Sequence, residues 1–206
     1  LLAEGLPAES YLDTGSRGTF ANSGVTELRP SFDGPRSWTA DAAAPLACDE
    51  ARVKPVWERL AARSAALGQP VCRPDLTTDP APLLRVGDDL LRPVQCQDHR
   101  YRFVLGDRAG PIRLVSRSGY PTDARPWADD WRRLGVYVSR IVWYGPDGPH
   151  ATPVDDPALT DGWWAVEQDG PSLRRWTDGD AALPAPFGVR MVEIHLGGGM
   201  AYRLAA

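Results

Sequence analysis

From about Pro82 onward the chain sets apolar side chains against charged ones in short runs broken by Gly, Pro and Asp. In Arg100-Tyr-Arg-Phe-Val-Leu105, Tyr101, Phe103 and Leu105 share one side and Arg100 and Arg102 the other, the period of a half-buried strand. Ile112 to Arg117 resumes after a turn rich in Gly, Asp and Pro. Leu134 to Trp143 is β-branched and apolar on both faces, which predicts a central strand. Pro146-Asp-Gly-Pro149 predicts a turn, and Val189 to Leu196 with Met200 to Leu204 about Gly197-Gly198-Gly199 predicts a hairpin. Successive short strands with no helices between them predict an antiparallel β-sandwich, jelly-roll-like, with a barrel as the alternative.

Helical spacing occurs at one place. Val56, Trp57, Leu60 and Leu67 recur on one side while Glu58, Arg59 and Arg63 fall on the other. Pro55 suits a first helical turn, and Gly68 with Pro70 supplies the stop. A helix running unbroken from Asp49 through Pro55 is not expected, because proline removes a donor. Trp57 reads as a core anchor. Residues 1–46, rich in Gly, Ser, Pro and Asp, predict an irregular lead. The organisation expected is α+β, mostly β: an irregular lead over 1–46, a helix and linker over 47–81, packed against a β-sandwich over 82–206.

Composition narrows the function classes. At 206 residues, with 43% hydrophobic and 24% charged, the chain supports a core without covalent staples. A net charge of -4 offers nucleic acid or an anionic membrane no general attraction, so no nucleic-acid partner is expected. No apolar run approaches the roughly 20 residues that span a bilayer as a helix. Cys48, Cys72 and Cys96 form no metal-ligand spacing, and buried free thiols are the expectation, with one disulfide as the alternative.

The opening LLAEGLPAESYLDTG, Leu1 to Gly15, closely resembles the tail of the Hint (hedgehog/intein-type) module in a group of bacterial proteins. Leu114-Val-Ser-Arg-Ser118, Asp130-Trp-Arg-Arg-Leu-Gly-Val136, Leu159-Thr-Asp-Gly-Trp-Trp164 with Glu167, and Arg175-Trp-Thr-Asp-Gly-Asp-Ala181 are similar to the segment downstream of that module. Variants of the last patterns also look like accessory segments of bacterial glycosyltransferases and surface-polysaccharide proteins. The resemblance implies an upstream Hint module of the same polypeptide as a partner. In that family a Cys or Ser at the module's start and an internal His drive the acyl shift. Neither position lies within these residues, so no catalytic residue is carried over.

Candidate chemistry concentrates in a Trp-rich stretch: Trp163, Trp164, Glu167, Arg175, Trp176 and Asp178. Saccharides are held by indole faces with carboxylates and guanidinium groups on the hydroxyls. Adjacent Trp163 and Trp164 on a strand point to opposite faces, so one ring enters the core and the other is left to bind. The plain alternative packs all three rings between sheets, with Arg175 stacked on one. Asp130, Arg132, Arg133 and Gly135 read either way: an Arg–Asp pair fastens a loop, and the glycine admits a close approach.

Elsewhere the signals are thinner. Glu193 and His195 share a strand face, the arrangement of a general-base pair or of a surface ion pair. Asp155, Asp156, Asp161, Asp178 and Asp180 suit Asx turns more than a calcium site. No cofactor, metal or catalytic residue is expected, and no compartment is fixed, an extracellular or cell-surface setting being the expectation. The leading function is a non-catalytic accessory domain binding carbohydrate or another surface ligand. The alternatives are a hydrolase or effector released by the Hint module, working through Glu193 and His195 or through Glu167 and Asp178, and a scaffold that associates with that module.

Overall fold

A computed structural model describes residues 37, 39–40 and 47–204. The expected irregular lead and the Leu1 to Gly15 resemblance lie almost wholly outside the described residues. The chain divides into two compact units, 1–53 and 54–206, and the sheets belong to the second.

Helix α1 runs unbroken from Glu50 to Ala66 with Pro55 inside it, contrary to the expectation that the proline opens the helix. The start lies a turn and a half earlier because Asp49 caps it: its Oδ1 accepts from the Arg52 N–H at 3.0 Å. Pro55 therefore stands in the second turn, where it removes the hydrogen bond that its position would make to the Ala51 carbonyl. The apolar side of α1 is not a core face. Val56, Leu60 and Leu67 stand exposed and the helix buries no residue. Trp57 is half-buried and meets Trp127 edge-on, centroids 5.5 Å apart, with the Arg73 guanidinium over its ring. It anchors a small satellite, not the core.

The strands are β1 (Leu76–Thr77), β2 (Leu83–Val86), β3 (Asp89–Leu91), β4 (Gln95–Gln97), β5 (Arg100–Val104) and β6 (Ile112–Val115). After the short helix α2 (Pro121–Ala124) come β7 (Tyr137–Gly145), β8 (Gly148–Thr152), β9 (Trp163–Asp169), β10 (Ser172–Thr177), β11 (Asp180–Leu183), β12 (Met191–Gly198) and β13 (Tyr202–Arg203). A seven-stranded sheet has the order β4-β5-β12-β7-β10-β9, with β8 added on β7. A four-stranded sheet has the order β11-β6-β2-β3. Every pairing among the described strands is antiparallel. The fold is α+β, mostly β and sandwich-like.

Period-two alternation builds the core. Leu84, Val86, Ile112, Leu114, Ala181 and Leu183 from the smaller sheet join Phe103, Val138, Ile141, Trp143, Val192 and Ile194 from the larger in one buried cluster. Each such side chain contributes about 1.5–3 kcal/mol relative to exposure. The predicted strands at 100–105 and 112–117 alternate as expected, and β7 sits inside its sheet, apolar on both faces. Pro146-Asp147 turns β7 into β8.

The glycine run behaves differently from the hairpin it predicts. Gly197 and Gly198 continue β12, with Gly198 opposite Tyr137, and β13 pairs with β1 instead of folding back on β12. Gly197 lacks a side chain because Arg174 occupies the space: a Cβ there would lie 2.6 Å from Arg174 Cδ. Far from its own strand, β13 is fastened by Tyr202, fully buried, whose hydroxyl donates to the Gly135 carbonyl at 2.8 Å. Burial pushes that phenol up to about 12. All three cysteines are free and exposed, so the expected burial of the thiols is corrected. They lie on α1's approach, the linker and edge strand β4, where no apolar layer covers them.

Candidate functional site

The strand register sorts the Trp-rich stretch onto two faces of the larger sheet. Trp163 points into the core, 8% exposed, and its indole N–H donates to the Ala182 carbonyl at 2.7 Å. Arg175, two strand positions before Thr177, also turns inward. Its guanidinium lies 6.0 Å from the Trp163 ring and donates to the carbonyls of Trp164 and Val154. Burial alone pulls its pKa below the usual value. Asp178 turns on its own backbone, Oδ1 accepting from the Asp180 N–H at 2.9 Å. Trp163 and Arg175 thus face the core, and Asp178 is engaged by its own turn.

Trp164, Glu167 and Trp176 meet on the other side. Trp176 lies opposite Tyr137 in the ladder, and the two rings stack with centroids 4.5 Å apart and planes at 17°. The Tyr137 hydroxyl donates to Glu167 Oε2 at 3.2 Å. Arg132 Nη1 donates to Glu167 Oε1 at 2.7 Å, while the same guanidinium lies 5.8 Å from the Trp164 centroid. The Trp164 indole N–H donates to the Arg133 carbonyl at 2.9 Å, so its edge is fixed. Trp164, Arg132, Glu167, Tyr137 and Trp176 thus form one connected array, half-buried throughout.

The loop before β7 holds this array. Asp130 takes Arg132 in a fork, Nε to Oδ1 at 3.0 Å and Nη2 to Oδ2 at 2.7 Å. The Arg132 hydrogen bond holds the Asp130 carboxyl below its usual range. Gly135 lets the loop close on β10: a Cβ there would lie 2.4 Å from Thr177 Oγ1 and 2.6 Å from the Gly179 nitrogen. Both expectations for this motif, a fastened loop and a close approach, describe it. One residue that the sequence reasoning passed over is Trp131. It stands 76% exposed immediately before Arg132, the most open indole among the described residues for which an exposure is recorded. Its flanks, Asp129-Asp130 and Arg132-Arg133, are the signal: four charges around one ring argue against a core position.

Two further ionic clusters occupy outer faces. On the smaller sheet Arg85 and Arg113 lie directly opposite each other, a repulsive placement resolved by Asp180. Arg85 Nη2 reaches Asp180 Oδ2 at 2.6 Å and Arg113 Nε reaches Oδ1 at 2.7 Å. Burial pushes the Asp180 carboxyl up, but the bonds from Arg113 and Arg85 outweigh it and hold it below its usual value. On the larger sheet the Glu193 side chain is 6% exposed. Its Oε1 contacts His195 Nε2 and its Oε2 accepts from Arg102 Nε. Burial pushes this carboxyl up too, and the bonds from Arg102 and His195 more than offset it. The pair foreseen as a surface ion pair or general base forms an ionic triad with Arg102 in which Glu193 is covered while Arg102 and His195 stay partly open. Ser139 directs its hydroxyl to the His195 carbonyl at 3.2 Å, not to the ring. Glu167 and Asp178, the other acidic pair considered, are engaged separately, the first by Arg132 and Tyr137 and the second by its own turn.

The outer face of the larger sheet thus defines a class by its geometry: a β-sandwich-like domain carrying an aromatic and ionic surface whose carboxylates are held by arginines. Comparison with protein-family profiles, with curated proteins and with solved structures finds no match to this chain.

Proposed function

We propose that the chain is a non-catalytic, ligand-binding accessory domain that follows a Hint module and takes saccharide on the outer face of its larger sheet. The observation that carries this reading is the array of Trp164, Arg132, Glu167, Tyr137 and Trp176, with exposed Trp131 beside it. Aromatic faces rimmed by carboxylate and guanidinium groups suit sugar rings, whose C–H faces are apolar and whose edges are polar. The same ionic pairing argues against Asp130, Asp180 and Glu193 as general acids. A general acid needs a carboxyl raised toward neutral pH, and Asp130, Asp180 and Glu193 are all shifted the other way. The link to a Hint module rests on the resemblances quoted above and predicts measurable affinity for that module expressed separately.

A glycan array followed by calorimetry tests the reading. Trp131→Ala, at an exposed position, leaves the fold intact and weakens saccharide binding by about tenfold or more. Trp176→Ala removes the stack on Tyr137 and weakens it further. If no saccharide binds, or if Trp131→Ala and Trp176→Ala bind as the parent does, the reading is wrong.

A second reading, a hydrolase, is favoured by the contact between buried Glu193 and His195. It predicts a hydrolytic activity abolished by Glu193→Gln; activity that survives this substitution would remove it.

A further inference from the structure

Beside the aromatic array, the outer face of the same sheet carries a row of basic groups. His195 on β12 lies opposite Arg100 on β5 and opposite Arg140 on β7, so the three occupy one line across adjacent strands. Their strands are paired neighbours, which puts the two arginine Cα atoms about 10 Å apart, within convergent reach of long side chains above the imidazole. Arg100 and Arg140 are exposed, and neither has a hydrogen-bond or ion-pair partner among the described residues. Below them, Glu193 has both oxygens engaged, by His195 and Arg102. It fixes the imidazole and cannot also neutralise the arginines. An open groove of about 100 Å³ runs along this end of the sheet, lined by Gln95, Gln97, Asp98, Arg100, Arg102 and Glu193. Gln95 uses its Oε1 on Arg102 Nη1 at 2.9 Å, which leaves its amide N–H groups as donors.

Like charges placed side by side on a sheet destabilise it unless something pairs them. On the smaller sheet a closer juxtaposition, Arg85 directly opposite Arg113, is resolved internally by Asp180, whereas Arg100 and Arg140 stand two strands apart with His195 between them. Among the described residues no carboxylate is bonded to Arg100 or Arg140, and the molecule as a whole is acidic at -4. We propose that Arg100, His195 and Arg140 form a carboxylate subsite, and that the saccharide taken by this domain is an acidic one. Paired guanidinium forks match a carboxylate, and the ligand's neutral rings extend along the face toward Tyr137 and Trp176. Gly198, Tyr137 and Trp176 lie in one line across β12, β7 and β10, so the basic row and the aromatic array share one continuous surface. This inference rests on the saccharide-binding reading and specifies its substrate class.

The test is calorimetric titration against a panel in which each uronate- or sialate-bearing oligosaccharide has its neutral counterpart, with polyglutamate as a third arm. Both arginines are exposed and unpaired among the described residues, so the double variant Arg100→Gln/Arg140→Gln folds as the parent does, which circular dichroism checks. The expected result is binding of an acidic oligosaccharide at least about tenfold tighter than its neutral counterpart, with that preference abolished in the double variant. Neutral and acidic glycans binding alike would overturn the acidic subsite and leave the saccharide reading standing. Binding of polyglutamate without any glycan would overturn both, as would no binding in any arm. An acidic preference that Trp131→Ala leaves untouched and the double variant removes would sustain the subsite while relocating the rest of the surface.

Discussion

Gly135 and Arg102 show how single positions hold the candidate surface. Gly135 hands its N–H to the Thr177 carbonyl at 2.7 Å while the next N–H, of Val136, donates to Thr177 Oγ1 at 3.0 Å. A methyl group at 135 collides with both Thr177 and the Gly179 backbone. Gly135→Ala therefore costs about 1–3 kcal/mol in urea denaturation. Loss of the close approach also loosens the loop bearing Arg132, so ligand affinity falls with stability. Arg102 acts through charge. Glu193 is held below its ordinary carboxyl value, so its contribution to stability is present above about pH 4.3, the unfolded value, and is lost as pH falls through the folded one. In Arg102→Gln the burial that pushes this carboxyl up is no longer offset from that side. The variant is then less stable than the parent at pH 7, and the gap narrows as acid protonates Glu193. Denaturant midpoints at pH 7 and near pH 3 check the sign; a gap independent of pH would dismiss the role assigned to Arg102.

Strands declare themselves in this sequence wherever one face is buried and the other wet. Tyr101, Phe103 and Leu105 against Arg100 and Arg102 are legible because burial follows the two-residue period. What stays illegible is partner choice. Gly197 to Gly199 looks like a turn from composition, yet its local reason is Arg174, more than twenty residues away, whose side chain fills the place of a Cβ. Pro55 misleads in the same manner, since only the Asp49 cap reveals where α1 begins. Of the six Trp-stretch residues, alternation separates Trp163 from Trp164 correctly, but the bulge between Arg175 and Thr177 decides which neighbours share a face. A tight turn supplies the complementary test. Asp98 and His99 link β4 to β5 with φ of 49° and 60°, both in the left-handed region. Such a two-residue hairpin turn favours glycine at its second position. His99→Gly relieves the strained backbone and raises stability by about 1 kcal/mol, seen as a higher thermal midpoint. An unchanged or lower midpoint would mean that the histidine side chain offsets the strain.

Taken whole, the sheet-bearing unit is closed by two sheets and by connections that contribute to the core. Trp143 illustrates the coupling: fully buried on β7, it donates its indole N–H to Thr152 Oγ1 at 3.0 Å on β8. Trp143→Ala removes about 3–5 kcal/mol, enough to unfold a domain of ordinary stability when combined with any second core lesion. The stretch between β8 and β9 is irregular, yet Val154 and Leu159 are buried in the core, Asp156 Oδ1 accepts from the Ala158 N–H at 2.8 Å, and Arg175 reaches the Val154 carbonyl. The connection from β11 to β12 is the opposite case, with Phe187 standing wholly in solvent beside Gly188. A protease would treat these two connections unequally. Chymotrypsin cuts after Phe187 while the sandwich is still intact, whereas the bond after buried Leu159 yields no nick until the barrier to global opening is crossed, making the appearance order of the two fragments a clock for unfolding.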